Sequence, residues 1–153
     1  MKYQYIFLLL FATYCSSYAQ ESFDDPITLE YKADTDAIEL LRQTLQEKVD
    51  ANFIEIEVAI KNEYDKLLNK YYHKLLKQIK DSEGKENLRQ SQRNWVKFKD
   101  SEKNFVLNFK DYDDDSHFEP KLVQLKKACY ITKLTQKRTN EFYEYLIFYL
   151  YGI

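Results

Sequence analysis

From Asp36 to Glu119 the chain runs without a proline, and apolar residues recur at three- and four-residue spacing. That spacing lines one face of a helix. Ile38, Leu41, Leu45 and Val49 form the first stripe. Asp36 opens it as N-cap, and Glu39 sits in the first turn, where the helix dipole favours an acid. Ile54-Glu55-Ile56-Glu57-Val58 alternates as a strand would. No second strand candidate exists to pair with it and an isolated strand is unstable, so the segment reads as helix after a break at Asp50-Ala51-Asn52. The stripe resumes with Ile60, Tyr64, Leu67, Leu68, Tyr71, Leu75 and Ile79, then stops at the turn Asp81-Ser82-Glu83-Gly84.

A second long helix is predicted from Lys85 to Lys110, with Leu88, Trp95, Phe98, Phe105 and Phe109 on its inner stripe and Val106 beside it. Asp111 to His117 breaks the pattern as an acidic loop. Pro120 suits the first turn of a last helix, whose inner face carries Leu122, Leu125, Cys129, Phe142, Leu146 and Tyr149 up to Gly152. The end of that helix, Phe142 to Tyr151, is apolar nearly all round and needs cover on most sides. Central packing is the expected cause; a homodimer or partner surface is the alternative. The sum is an all-α fold, a small antiparallel bundle of three to four long helices over residues 36–153.

Ahead of the bundle, Lys2, the apolar stretch Ile6 to Ala12 and the small residues of Ser17-Tyr18-Ala19 spell a secretory signal peptide over residues 1–19. The expected product is a secreted or periplasmic protein. Lipidation at Cys15 is disfavoured by the bulky Tyr14 before it. The apolar run is too short for a membrane span. Residues 20–35, with Pro26 and scattered acids, read as a flexible lead-in.

Composition removes most functional classes. Only two glycines and two prolines occur in 153 residues, which excludes glycine-rich phosphate loops and turn-dense sandwiches. A net charge of −2 does not suit a nucleic-acid binder that works by neutralising phosphates. Cleavage after Ala19 would leave Cys129 as a lone thiol, expected as a buried small hydrophobe. His73 and His117 are the only histidines, and neither sits in a metal or triad motif. Asp111, Asp113, Asp115 and Glu119 have the spacing of a calcium loop. However, Ser116 stands where such a loop needs glycine and Leu122 where it needs glutamate, so no metal is expected. No cofactor and no enzymatic activity are expected either.

Three motifs resemble the lysozyme inhibitor LprI N-terminal domain family. They are Leu68-Asn69-Lys70-Tyr71-Tyr72; the run Leu88 to Asp100, with Gln92, Trp95, Phe98 and Asp100 at fixed offsets; and Cys129, Thr135, Arg138, Thr139 and Glu141. The family often carries a cysteine three residues after the signature aspartate, where Lys103 stands here, and another before the Leu-Asn motif, where none occurs. Any disulfide the resemblance implies is therefore absent. The resemblance implies a small exported helical protein and, for some members, inhibition of lysozyme.

Leu68, Asn69, Tyr72, Gln92, Trp95, Phe98, Asp100, Cys129, Thr135 and Arg138 are expected to serve structure. Asp100 and Arg138 in particular are expected to pair across two neighbouring helices. The candidate contact with a protein partner, lysozyme first, is the acidic run Asp111, Asp113, Asp114 and Asp115 with Tyr112 as an aromatic anchor. The rival reading is a structural or assembly module of the cell envelope that uses the aromatic C-terminal helix as its interface.

Overall fold

A computed structural model describes residues 25–48, 50, 52–107 and 120–152. Among the described residues four helices follow one another: α1 (Pro26–Gln46), α2 (Phe53–Gln78), α3 (Ser82–Leu107) and α4 (Pro120–Tyr151). No strand occurs among the described residues. The fold is the all-α bundle expected, and the alternating segment Ile54 to Val58 is helix. The described residues are divided into two units between Glu30 and Tyr31.

Each helix start has a local cause. The Asp25 carboxylate accepts from the backbone N–H groups of Ile27 (2.8 Å) and Thr28 (3.0 Å) and from the Thr28 hydroxyl, and Pro26 occupies the first helical position. For residues 26–35 this corrects the expectation of a flexible lead-in; residues 20–24, like the expected signal peptide 1–19, lie outside the described residues. Residues 26–35 are the first part of α1, because Pro26 begins a capped helix and interrupts nothing.

Asn52 caps α2, accepting from the Ile54 N–H at 3.1 Å while its amide donates to Glu55 at 2.9 Å. Asp81 accepts from the Gly84 N–H, so α3 starts at Ser82, earlier than the spacing suggests. A β-carbon on Gly84 would stand 2.9 Å from both the Asp81 carboxylate and Ile79 Cγ2, so a larger residue here would have to displace those side chains. At the other end, Gly152 adopts φ +70° and donates to the Phe148 carbonyl at 2.8 Å, closing α4 with a left-handed cap.

Helices α2 and α4 form the central pair and run parallel. The Thr132 hydroxyl donates to the Glu57 carbonyl (3.3 Å) and the Thr139 hydroxyl to the Tyr64 carbonyl (3.4 Å), so positions rise together along both helices. Thr135 and Thr139 are fully buried. Their hydroxyls also bond back to the Ile131 and Thr135 carbonyls, which satisfies them while keeping the interface thin. Ile60, Tyr71, Phe142 and Leu146 fill the space around this threonine stripe.

Residues 31–46 of α1 run antiparallel to α2, tied by Arg42 to Glu57 and by Lys70 to Asp34. Tyr31 stacks on Tyr143 at 4.1 Å, meets Tyr71 edge-on at 5.1 Å and donates to Asn140. Helix α3 is antiparallel to α4: Ser91 and Gln92 meet Arg138, and Tyr130 donates to Glu102 at 2.6 Å.

The expected inner stripe of α3 is only half buried. Leu88 is buried and Trp95 half-buried, but Phe98 and Phe105 are 50% and 61% exposed, and Phe109 lies outside the described residues. At 3.6 residues per turn, Phe98 and Phe105 lie about 80° and about 100° around the helix from Leu88, so the face that buries Leu88 leaves both rings outward. The expected central packing of the last helix is corrected in the same way. Phe142 and Leu146 are buried against α2, whereas Tyr145, Phe148, Tyr149, Leu150 and Tyr151 are exposed, as is Leu122 at the other end.

Candidate binding groove

The motif residues fall into three environments. Leu68 and Thr135 are core. Tyr72 is half-buried with its ring 5.5 Å from Phe142, and Cys129 is half-buried with its thiol pushed up by burial and then by the nearby Glu57 charge. Asn69, Phe98 and Asp100 are exposed. Trp95 is half-buried beneath the Lys99 ammonium, which lies 4.9 Å from the ring centre. Asp111, Tyr112, Asp113, Asp114 and Asp115 lie outside the described residues.

Arg138 is the most connected of these groups. Only 6% exposed, it donates to Gln92 at 3.2 Å, Ser91 at 2.9 Å and Glu141 at 2.8 Å, and its guanidinium lies 4.4 Å from the Phe142 ring centre. The expected pairing with Asp100 does not form. Gln92 lies eight residues before Asp100, roughly 12 Å away along the helix at 1.5 Å per residue, so an arginine held at Gln92 is beyond its reach. The carboxylate that neutralises Arg138 comes from its own helix, three residues on.

Two polar ties escaped the sequence reading. Glu57, buried to 8% exposure, is held by Arg42 of α1. Its signal was present: an acid three residues before Ile60 and seven before Tyr64 lies on the apolar stripe of α2. The second tie joins Asp34 to Lys70 and to the Tyr71 hydroxyl at 3.2 Å. It was hidden because Asp34 lay in the segment read as lead-in. Tyr31, beside it, has its phenol pushed up to about 12 by burial, with Tyr64, Tyr143 and Glu144 adding to the effect.

Between Lys99 and Val106 of α3 and the facing turns of α2 and α4 lies a groove of about 490 Å³. Its lining includes Asp100 of the Trp-containing signature as well as aliphatic side chains from all three helices. No group of three or more His, Cys, Asp or Glu side chains among the described residues is placed to hold a metal ion. No helix among them is long and apolar enough to cross a membrane.

No curated protein and no solved structure matches the chain. A family model described as lysozyme inhibitor LprI matches residues 46–142, from the last residue of α1 to Phe142 in α4. The matched stretch is well over half of the sequence and takes in the Leu-Asn, Trp and Arg138 segments, and the chain accordingly belongs to the lysozyme inhibitor LprI family.

Proposed function

We propose that this chain is exported, loses residues 1–19, and acts without catalysis by binding a lysozyme and inhibiting it. The observation that carries the reading is the family match over residues 46–142, whose family is described as a lysozyme inhibitor. Its contact is the run Asp111 to Asp115, which sits in sequence between the last residue of α3 and the first of α4. Lysozymes of the animal type are basic, and four aspartates close together steer such a partner from a distance, with Tyr112 as anchor. The acids meet the basic rim of the enzyme, because its catalytic cleft carries carboxylates of its own.

The test is clearance of bacterial cell walls by lysozyme with and without the purified protein. Inhibition should weaken as salt rises and fall when Asp113, Asp114 and Asp115 become Asn. No inhibition at micromolar protein and low salt would reject the reading. A second reading, an assembly module of the cell envelope, is favoured by the exposed Tyr145, Phe148, Tyr149, Leu150 and Tyr151 at the end of α4. Under it, Phe148→Glu abolishes association with an envelope partner and lysozyme is unaffected.

A further inference from the structure

The groove between α2, α3 and α4 has a floor of Val106, Ala128 and Ile131 and a rim of Val58, Lys61, Lys99, Lys103 and Lys127. We propose that it binds a fatty acid, an unbranched acyl chain ending in one carboxylate. A volume of about 490 Å³ lies within the range of small-molecule sites, which are mostly apolar with a few placed polar groups. The floor is aliphatic and offers no ring on which a nucleobase could stack. The rim cations are all lysines, compact point charges that can meet a single acid group.

The charge balance also favours one acid, Lys127 being engaged in an interaction of its own. Lys61 is held by Asp65 at 2.6 Å, and Lys99 is shared between the Trp95 face and Asp65 at 3.7 Å. Lys103 lies one turn beyond Lys99 on the same face of α3, is exposed, and has no ion pair among the described residues. The carboxylate of the ligand sits against Lys99 and Lys103, and its chain runs over Val106, Ala128 and Ile131. Asp100, exposed on the same rim, opposes it.

The experiment titrates oleate into the full chain carrying a dansyl-labelled undecanoate probe. Oleate should displace the probe from one site per chain, and oleyl alcohol, equal in length but uncharged, should bind about tenfold more weakly. Lys103→Glu should weaken oleate about tenfold and leave the alcohol unchanged, while Asp100→Asn should tighten oleate. Val58 is 48% exposed, so Val58→Glu can be made without burying a charge, and it should abolish displacement in a chain of unchanged helicity. No displacement up to the solubility limit of oleate would overturn the proposal. So would equal affinity for acid and alcohol, or binding indifferent to Val58→Glu and Lys103→Glu. Binding lost with Phe148→Glu would place the ligand on the far end of α4 and overturn it too.

Discussion

Removing Arg138 separates packing from polar contact within one side chain. Arg138→Met keeps most of the stem and deletes every hydrogen bond; Arg138→Ala deletes the stem as well. The three partners left behind can all reach water: Ser91 is exposed, Gln92 is half-buried and the Glu141 side chain is 31% exposed. They therefore do not incur the full penalty of an unpaired buried group, which for a charge would be about 3–5 kcal/mol. A hydrogen bond to a charged group contributes roughly 1.5–3 kcal/mol, and desolvating the guanidinium offsets much of the sum, leaving about 1–2 kcal/mol for Arg138→Met. Losing the stem over Phe142 and opening a void brings Arg138→Ala to about 3–4 kcal/mol. Urea denaturation followed by helicity measures both. If Met proves as costly as Ala, packing contributes nothing; if Met costs under about 0.5 kcal/mol, the polar network contributes nothing. A double-mutant cycle extends the test. Arg138→Met should couple to Glu141→Gln and be additive with Asp100→Asn to within about 0.5 kcal/mol. Coupling to Asp100 would contradict the geometry described above.

Three further outcomes are expected. The raised Tyr31 phenol favours the neutral form in the fold, so its contribution is complete below the ordinary value of 10 and is lost as pH rises toward about 12. Tyr31→Phe should move base-induced unfolding to higher pH, and an unchanged midpoint would refute this. Thr135→Leu forces extra volume between α2 and α4 and should cost about 2 kcal/mol, read as a lower denaturation midpoint; a neutral result would mean the two helices are not in close contact there. Intact-mass measurement of envelope-derived protein should find a chain beginning at Gln20, and an intact Met1 or a lipid on Cys15 would contradict the export reading.

The helices of this protein were legible because their core faces obey one period for long stretches, as Ile60, Tyr64, Leu67, Tyr71 and Leu75 do on α2. What failed was the choice of which apolar residues face inward near the ends. Phe105 and Tyr149 were assigned to inner stripes, yet both are exposed: Phe105 lies about 100° around α3 from Leu88, and Tyr149 meets α2 only at its end, where its hydroxyl accepts from the Lys80 N–H at 3.3 Å. Pro26 misled for a different reason. The reasoning that places Pro120 at a helix start applies equally to a proline preceded by Asp25, and only the scattered acids after it obscured the match. The Asp100–Arg138 pairing failed on axial position. Opposite charges on neighbouring helices say nothing about height along the axis, whereas Gln92, one of the signature residues, proved to be the partner.

Calorimetric titration of an animal-type lysozyme with the purified protein at low salt tests the proposed binding of this LprI-family chain to a lysozyme. The expected result is a one-to-one complex with a dissociation constant of about a micromolar or tighter, weakening as salt rises. Absence of binding heat at low salt, together with separate sedimentation of the two proteins, would contradict it.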